Sequence, residues 1–364
     1  MEETTAYIGL GSNLGDRRAN IDSALKMLAE AKWTELVRAS DLIETAALAQ
    51  ADQPKFLNAV AELKTTLSAK QLHRKLADIE TLLGRVRREK WSPRMIDLDL
   101  LLFGGDVINS PDLIVPHPQM HLRSFVLKGL CQLNGDVQHP VMKESINELA
   151  GRLNGLDFSA NPDLPQLISI AGIIGAGKTT LTKTLASQLG GKLLLEPYDT
   201  NPFLPDVYAG KKELALDSQL YFLTSRVEQM DRNLLSQGQI SISDYIFDKE
   251  LIFARRLLDE QQLDLYEEIY LPLSAKVARP MLVVYMQDSA QKCLERIHNR
   301  NRPYEQRIEL RFLKALSHDY EQLFSNWKAC PVIGVSTSED ADIDHLINQI
   351  KCYTMVKNKY LIPK

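Results

Sequence analysis

The chain contains 364 residues, of which 45% are hydrophobic and 25% charged, with a formal net charge of -4. This composition is typical of a globular protein, and the length predicts two domains. The negative net charge disfavours nucleic acid as a partner, and no apolar run reaches the roughly 18 residues of a membrane helix. Four widely spaced cysteines indicate a reducing compartment, so we expect a cytoplasmic protein.

The first half of the chain alternates between strand-like and helix-like patterns. Strands are predicted near residues 6–10, 56–63 and 96–103, and helices near residues 18–31 and 69–83, where apolar side chains recur every three or four positions. Such alternation predicts an α/β or α+β layer fold.

A connector is predicted over residues 151–166, where Gly, Asn, Pro and Asp replace any regular period. We place the first domain at 1–155, the linker at 156–166 and the second domain at 167–364. The second domain begins with an apolar strand at 167–171. Further predicted elements are strands at 192–195, 240–243 and 281–286 and helices at 218–236 and 307–324. Strands that are apolar throughout predict a parallel sheet covered by helices on both faces.

Two carboxylates, Asp97 and Asp99, lie two residues apart in the predicted strand at 96–103. Side chains at i and i+2 of a strand point to the same face, so both carboxylates can reach one site. The alternative is a solvated face of an edge strand. A basic run precedes the pair and favours a site for polyphosphate and Mg2+. This run comprises Arg85, Arg87, Arg88, Lys90 and Arg94.

The second domain opens with GIIGAGKT, residues 172–179, between a predicted strand and a predicted helix. In this pattern the glycines allow backbone N–H groups to surround phosphates, Lys178 adds a positive charge, and Thr179 offers its hydroxyl to Mg2+. The loop therefore predicts ATP binding. Its contributing residues are Gly172, Gly175, Gly177, Lys178, Thr179 and Thr180.

Two further features of the second domain fit phosphoryl transfer. Glu196 follows the predicted strand at 192–195, at the edge where open α/β sheets bind ligands, and it could accept a hydroxyl proton; the alternative is a surface glutamate. Arg296, Arg300 and Arg302 lie close together near a predicted helix end. They suit a lid over the γ-phosphate, although an exposed charge run is the alternative.

Residues 6–139 resemble the 6-hydroxymethyl-7,8-dihydropterin pyrophosphokinases of folate synthesis. The motifs that carry the resemblance occur in family order: GSNLGDR, DQPKFLNA, GRVR, WSPRMIDLDLLLFG and VPHPQMHLRSFVL. The resemblance implies a ferredoxin-like α/β sandwich. It also implies transfer of the pyrophosphoryl group of ATP to the pterin hydroxymethyl group, with release of AMP.

The same resemblance implies roles for individual residues. Asp97 and Asp99 would hold two Mg2+ ions, and Arg85 and Arg94 would neutralise the transferring phosphates. Phe56 and Phe125 would stack on the pterin, whose amide edge Asn58 would read; without the resemblance these would be core aromatics and a turn residue. Thr45 would complete the pterin site. The residues implied in ATP binding are Arg87, Lys90, Trp91, His117 and Arg123.

From Leu167 to about Phe324 the chain resembles deoxyribonucleoside kinases of the deoxycytidine, deoxyguanosine and deoxyadenosine type. The motifs are the Glu-Pro pair at 196–197, NPFL at 201–204, QLYFLTSR at 219–226 and the arginines and glutamate of the predicted lid. These enzymes transfer the γ-phosphate of ATP to the 5'-hydroxyl of a deoxyribonucleoside.

By this resemblance Glu196 is the general base, Gln219 pairs with the nucleobase and Arg226 supports Gln219. Tyr208 and Glu305 would hold the 3'-hydroxyl, and Asp244 would serve Mg2+. One departure is evident, because the family commonly has an arginine after this acidic residue, whereas Tyr245 stands here. A Gln carboxamide can pair with several bases, and the overall likeness favours deoxyadenosine, then deoxyguanosine.

The sequence therefore predicts a bifunctional enzyme that uses MgATP in both halves. We expect small-molecule substrates, no nucleic-acid or membrane partner, and a homodimer formed through the kinase half. Two alternatives stay open. The first half could be a non-catalytic docking module, and the second could be a nucleoside-monophosphate kinase or a regulatory nucleotide-binding module.

Overall fold

The computed structural model describes residues 3–47, 53–85, 93–158, 164–336 and 342–354. The chain forms two compact units, one N-terminal to residue 161 and the other C-terminal to residue 160. Within the described ranges, no helix combines the length and apolar character needed to cross a membrane.

The first unit contains an antiparallel sheet and helices. Its strands are β1 (Thr4–Ser12), β2 (Thr34–Ala39), β3 (Ile43–Thr45), β4 (Phe56–Thr65), β5 (Asp97–Phe103), β6 (Ile108–Asn109) and β7 (Ile114–Val115). Its α-helices are α1 (Arg17–Glu30), α2 (Ala69–Leu82), α3 (Ser124–Asn134) and α4 (Ile146–Leu153), with a 3-10 helix at Met120–Leu122.

The main sheet has the order β2-β4-β1-β5, and β3 pairs with the end of β4. Helices α1 and α2 bury Leu28 and Leu76 against one face, in a core that includes Ile8 of β1. Helix α3 packs on β4 so closely that a Cβ at Gly129 would lie 2.6 Å from Val60 Cγ2. Helices therefore pack on the central strands, as the predicted α+β layer fold requires.

The predicted elements of the first unit are confirmed, but β2, β3, α3 and α4 were not predicted. The connector prediction is wrong at its beginning, since residues 151–153 form the last turn of α4. That helix buries Ile146, Leu149 and Leu153 and ends at Asn154 in the left-handed conformation. The glycine and asparagine that suggest a connector thus partly belong to a helix and its C-cap.

The second unit alternates strands and helices. Its strands are β8 (Gln166–Ala171), β9 (Lys192–Leu194), β10 (Ile240–Ser243), β11 (Leu282–Gln287) and β12 (Val332–Ser336). Its α-helices are α5 (Lys178–Leu189), α6 (Leu204–Tyr208), α7 (Ala215–Met230), α8 (Lys249–Leu257), α9 (Glu260–Ser274), α10 (Ala290–Arg300), α11 (Leu310–Ser325) and α12 (Ile343–Tyr353). Short 3-10 helices occur at Tyr198–Thr200, Lys212–Leu214 and Pro303–Arg307.

The predicted parallel sheet is confirmed, with the order β12-β11-β8-β10-β9 and parallel pairing throughout. Every residue of β8 is buried, and the glycine loop leads directly from this central strand into α5. The loop therefore lies at the carboxyl edge of the sheet, where open α/β sheets bind ligands.

The predicted helix at 218–236 is wrong at both ends, because α7 runs from Ala215 to Met230. The Asp231 carboxylate accepts a hydrogen bond from the Asn233 backbone N at 2.8 Å. Such a local side-chain bond offers the backbone an alternative to the helix, which explains the early end.

Candidate active sites

The sheet of the first unit brings Asn58, Gly11 and Asp97 into one row. Gly11 of β1 is opposite Asn58 of β4 on one side and Asp97 of β5 on the other. A Cβ at Gly11 would lie 3.2 Å from Asn58 Oδ1 and 3.7 Å from Phe56 Cδ1. The absence of a side chain at Gly11 thus leaves space between the predicted pterin-binding and metal-binding residues.

Asn58 is buried and held in place by β3. Its Nδ2 donates to Thr45 Oγ1 at 3.0 Å and to the Ile43 carbonyl at 3.4 Å. The guanidinium carbon of Arg94 lies 6.0 Å from the centroid of the half-buried Phe56 ring. The structure thus brings together Thr45, Phe56 and Asn58, while Phe125 lies half-buried at the beginning of α3.

Two arginines neutralise Asp97. Arg85 Nη1 lies 2.6 Å from Asp97 Oδ1, and Arg94 Nη1 lies 2.6 Å from Oδ2. Burial and the nearby Asp99 raise the pKa of Asp97, while Arg94 and Arg85 oppose that rise. Asn13, which we did not predict, fixes Arg94: its Oδ1 accepts from the Arg94 backbone N at 2.7 Å.

Asp99 faces His117 and Arg123. Its Oδ2 lies 3.9 Å from His117 Nε2 and 3.7 Å from Arg123 Nη1. Burial, reinforced by Arg123, lowers the pKa of His117 to about 3, so the imidazole is neutral at pH 7. His117 Nδ1 accepts from the Gln119 backbone N at 3.2 Å, which assigns the ring proton to Nε2, on the side of Asp99.

The donor set at Asp97 and Asp99 fits Mg2+, which prefers one or two carboxylates together with water and substrate phosphate. Among the described residues, no group of three or more His, Cys, Asp or Glu side chains forms a metal cage. The predicted ATP-binding residues Arg87, Lys90 and Trp91 lie outside the described residues.

Glu80 is a residue of this site that sequence reasoning missed. It is buried in α2, and its Oε1 accepts from the Leu98 backbone N at 2.7 Å and from Arg85. Burial raises the pKa of Glu80 to about 7, against the lowering effects of the Leu98 N–H and Arg85. An acid next to Ile79 on the apolar face of a predicted helix was the signal that could have identified it.

In the second unit, three glycines of the loop have positive φ: Gly172 (144°), Gly175 (84°) and Gly177 (89°). A Cβ at Gly175 would lie 2.4 Å from the Cys293 carbonyl oxygen, so α10 packs directly on the loop. Lys178 Nζ donates to the Ile173 carbonyl at 2.9 Å. Burial and then Lys249 lower the pKa of Lys178 to about 8.

Thr179 and Asp244 converge at the beginning of α5. Thr179 Oγ1 donates to Asp244 Oδ2 at 2.6 Å, and Asp244 Oδ1 accepts from the Glu196 backbone N at 2.8 Å. A hydroxyl and a carboxylate beside a phosphate loop form an oxygen donor set that fits Mg2+. The same hydrogen bonds connect this donor set to Glu196.

A cavity of about 570 Å³ opens in front of the loop. Its volume lies within the range typical of small-molecule sites. The predicted residues that line it are Gly172, Gly175, Gly177, Lys178, Thr179, Thr180, Glu196, Tyr208, Gln219, Arg226, Asp244, Arg300, Arg302 and Glu305.

Glu196 is held by two cations. Lys249 Nζ donates to Glu196 Oε1 at 2.7 Å and to Oε2 at 2.8 Å, and Arg226 also donates to Oε1. Burial raises the pKa of Glu196, but Lys249 and then Arg226 outweigh it and hold that pKa far below its ordinary value. The carboxylate is therefore ionised.

We predicted that Arg226 supports Gln219, but Arg226 donates no hydrogen bond to Gln219 Oε1 within the described residues. Its guanidinium donates to Glu196 and Glu250, and its central carbon lies 4.4 Å from the Phe222 ring centroid. Lys249 and Glu250 were both missed. The feature that could have identified them is the Asp-Lys-Glu sequence at the beginning of α8, whose lysine and glutamate are both buried.

Gln219 is 2% exposed, and its Oε1 has no hydrogen-bond partner within the part of the chain that the structure describes. A buried carboxamide oxygen without a partner costs free energy unless a ligand supplies a donor. Because Gln219 lines the cavity, the arrangement suits recognition of a polar ligand edge.

The predicted lid arginines separate into two groups. Arg300 and Arg302 bind Glu305, at 2.6 and 3.3 Å, and the Arg302 guanidinium lies 4.1 Å from the Tyr198 ring centroid. Arg296 lies outside the cavity lining, with its Nη1 2.6 Å from Asp288 Oδ2. Only two of the three arginines thus line the cavity.

Tyr208 and Glu305, which we predicted to hold a 3'-hydroxyl together, line the same cavity. Burial and then the negative charge of Glu305 raise the pKa of Tyr208 well above its ordinary value. The Tyr208 ring centroid also lies 6.0 Å from that of Tyr304, in the same segment as Glu305.

Comparisons with known proteins match each unit separately. Residues 7–135 match the family model of 7,8-dihydro-6-hydroxymethylpterin-pyrophosphokinase (HPPK), and residues 168–356 match that of deoxynucleoside kinase. A 2-amino-4-hydroxy-6-hydroxymethyldihydropteridine pyrophosphokinase of Haemophilus influenzae is 38% identical over 149 residues, which cover 40% of this chain and 93% of that protein.

A deoxyguanosine kinase of Bacillus subtilis is 35% identical over 186 residues, which cover 50% of this chain and 90% of that protein. A solved structure of deoxyadenosine kinase from M. mycoides aligns with a TM-score of 0.44 and 25% identity, over 50% of this chain and 95% of that one. The chain therefore belongs to the HPPK family through its first unit and to the deoxynucleoside kinase family through its second, and it is a bifunctional transferase that uses ATP.

Proposed function

We propose that the first unit performs its pyrophosphoryl transfer with Asp97 and Asp99 as ligands of Mg2+ and with Arg85 and Arg94 on the transferring phosphates. The row Asn58-Gly11-Asp97 is the observation that carries this proposal. It puts a carboxamide suited to the pterin and a carboxylate suited to a metal on opposite sides of one glycine. Bound Mg2+ would withdraw charge from the phosphate oxygens.

The remaining residues of the first unit bind the two substrates. Phe56 and Phe125 stack on the flat pterin, and Asn58, held by Thr45, reads its amide edge. His117 donates through Nε2 to a phosphate oxygen, and Arg123 binds the same polyphosphate. We include Arg87, Lys90 and Trp91 in the ATP site on the resemblance alone.

For the second unit, we propose transfer of the γ-phosphoryl group of ATP to the 5'-hydroxyl of deoxyadenosine. The observation that supports this proposal is the buried Gln219 Oε1, which has no hydrogen-bond donor among the described residues. Adenine offers an amino donor beside a ring-nitrogen acceptor, and a glutamine carboxamide can bind both. Deoxyguanosine is the second candidate, favoured by the 35% identity to a deoxyguanosine kinase.

In this site the loop residues and Lys178 hold the ATP phosphates, and Thr179 and Asp244 hold Mg2+. Glu196 accepts a hydrogen bond from the 5'-hydroxyl and orients its oxygen, while Tyr208 and Glu305 hold the 3'-hydroxyl. Arg300 and Arg302 close over the phosphates. Arg296 acts at the edge of the loop, because its Nη1 donates to the Gly175 carbonyl at 3.4 Å.

Both activities are tested with labelled ATP and the full chain. The acceptors are hydroxymethyl-dihydropterin, the four deoxynucleosides and their monophosphates. We expect a diphosphorylated pterin and a deoxynucleoside monophosphate, with deoxyadenosine giving the highest kcat/KM. Preference for thymidine, or phosphorylation of monophosphates alone, would refute the proposal for the second unit.

Two single substitutions separate the sites. Asp97→Ala should abolish the pterin product and leave nucleoside phosphorylation intact. Glu196→Gln should leave the pterin product intact and strongly lower the kcat of nucleoside phosphorylation, to a residual rate that is still measurable. An Asp97→Ala chain with undiminished pterin product would contradict the proposed metal site. A wild-type chain without any pterin product would favour the docking-module alternative.

We also propose that the two domains occupy residues 1–155 and 167–364, that the protein is cytoplasmic, and that the kinase domain mediates a homodimer. The resemblance of the second unit to deoxynucleoside kinases supports the dimer. Light scattering of the full chain and of residues 164–364 checks it, since both should have twice the monomer mass.

A further inference from the structure

Lys249 is the first residue of α8 and is 5% exposed. Its Nζ donates to both oxygens of Glu196, at 2.7 and 2.8 Å, and lies 5.0 Å from the Phe253 ring centroid. Burying an ammonium group costs several kcal/mol unless it is paired, so a lysine at this position requires a compensating interaction. Glu196 provides that interaction.

The two cations on Glu196 differ in what they control. Arg226 contacts Oε1 and is also bound to Glu250, so its position is fixed independently of Glu196. Lys249 contacts both oxygens, and within the described residues it provides the hydrogen bond recorded for Oε2. Lys249 therefore restricts rotation of the Glu196 carboxylate about its Cγ–Cδ bond. Arg226 alone would hold Oε1 and leave Oε2 without this hydrogen bond.

Position 245 cannot supply this cation. Tyr245 is 0% exposed, its hydroxyl donates to Gln229 Oε1 at 2.9 Å, and its ring centroid lies 5.7 Å from the Arg226 guanidinium carbon. The tyrosine thus packs beneath Arg226 in the core. Lys249 instead lines the cavity, together with Lys178 of the phosphate loop.

We propose that Lys249 is a positioning residue for phosphoryl transfer, which fixes the orientation of the Glu196 carboxylate and directs one of its oxygens to the nucleoside 5'-hydroxyl. In this step the 5'-oxygen bonds to the γ-phosphorus, the bond to the ADP oxygen breaks, and the hydroxyl proton passes to Glu196. This inference rests on the proposed role of Glu196 and names the group on which that role depends.

The test compares Lys249→Met and Lys249→Arg in the full chain. With Lys249→Met we expect kcat to fall roughly 30- to 300-fold, while KM for deoxyadenosine and for ATP changes less than about threefold, because a group that only orients acts mainly on the transition state. The kcat of Lys249→Arg should be at least about tenfold higher than that of Lys249→Met. An unchanged kcat, or a loss confined to KM, overturns the proposal.

A double-mutant cycle with Glu196→Gln tests whether Lys249 acts through Glu196. We expect Lys249→Met to have no further effect on kcat when Glu196→Gln is present. A further loss of the same size in that background overturns the proposal. If Glu196→Gln alone has the wild-type kcat, the proposed function of Glu196 fails. If Glu196→Gln has a strongly reduced kcat while Lys249→Met has the wild-type kcat, only the present inference fails.

Lys183→Met, at an exposed position of α5, is the matched control and should retain wild-type activity. The stoichiometry of fluorescent ATP-analogue binding, two sites per chain in the wild type and one when the second unit is unfolded, reports whether each variant is folded. Pterin pyrophosphorylation in the same sample reports the enzyme concentration. If Lys249→Met does not fold, the proposal is tested with Lys249→Arg alone. A Lys249→Arg chain that binds the ATP analogue like the wild type but has a kcat below about 1% of wild type would overturn the proposal.

Discussion

Asn58 and Asp97 lie in the same row of the first unit's sheet, separated by one residue of the central strand, Gly11. Because the strands are hydrogen-bonded neighbours, the distance between the carboxamide and the carboxylate is set by the sheet rather than by a loop. Sites built on strands keep their geometry more accurately than sites on loops.

Gly11→Ala should impair pterin turnover. The new Cβ would lie 3.2 Å from Asn58 Oδ1 and 3.7 Å from Phe56 Cδ1, and overpacking of this kind costs about 1–3 kcal/mol. We expect kcat/KM for the pterin to fall about 5- to 100-fold, measured with varied pterin at saturating ATP. Gly105→Ala is the control, since its Cβ would meet no atom within 4 Å. An unchanged kcat/KM for Gly11→Ala would contradict this placement of the pterin.

Glu80→Gln should lower pyrophosphokinase kcat about tenfold at pH 8, above the pKa of about 7 of the Glu80 carboxyl. The glutamine can still accept from the Leu98 N–H, but it removes the negative charge that helps hold Arg85 beside Asp97. Hydrogen bonds to charged groups contribute about 1.5–3 kcal/mol, so a tenfold loss is the lower end. Glu62→Gln is the control, because Glu62 pairs with Arg38 of β2, four residues along β4 from Asn58. Equal kcat values for both variants would rule out the role of Glu80.

Gly175→Ala should abolish ATP binding by the second unit and leave the first unit active. The added Cβ would lie 2.4 Å from a backbone carbonyl of α10, and the residue already has a φ of 84°. Gly190→Ala separates the steric effect of the added Cβ from the strain of a positive φ. Gly190 also has a positive φ (63°), but the space around its Cβ position is open. We expect Gly190→Ala to lose about 1–2 kcal/mol of stability with normal ATP binding. Because both units use ATP, isothermal titration with an ATP analogue should find one site per chain in Gly175→Ala and two sites in the wild type and in Gly190→Ala. Two sites in Gly175→Ala would contradict the prediction.

Acid should destabilise the first unit through His139. Burial and the nearby His121 lower the pKa of His139 to about 3 from the model-peptide value of 6.5. The unfolded state therefore binds more protons, so this stability is complete above pH 6.5 and is lost as the pH falls. At pH 5 the loss is about 2 kcal/mol. Heat inactivation of the pyrophosphokinase at pH 7.5 and pH 5 measures it, and His139→Asn should show a smaller difference than wild type.

Parts of both sites could be predicted because their residues are contiguous. Asp97 and Asp99 need only the two-residue period of a strand, and the loop from Gly172 to Thr179 carries its own turn, helix start and charge. The fold class followed from the same local periods. Each of these features is determined within a segment of about ten residues.

The missed residues depend on pairing between distant segments. In the sequence Glu80 resembles any other acidic residue of a helix, and its role depends on the Leu98 N–H that β5 places beside it. Lys249 resembles a surface lysine, and its role depends on the packing of α8 that brings it to Glu196. The edge strands β2 and β3 are short and were missed because their hydrogen bonds come from residues of β4 that are 11 to 31 positions away. A local pattern can mark such a residue as unusual, as the acid on the apolar face of α2 does, but it does not identify the partner.

The burial of Tyr245 beneath Arg226 has a consequence for how this sequence can change. An arginine introduced at position 245 alone would place a second guanidinium in a space where tyrosine packs and binds Gln229, while Glu196 already has its cation in Lys249. Positions 245 and 249 should thus covary among relatives, with a basic residue at one accompanied by a neutral residue at the other. A substitution at one of these positions should therefore be accompanied by a substitution at the other.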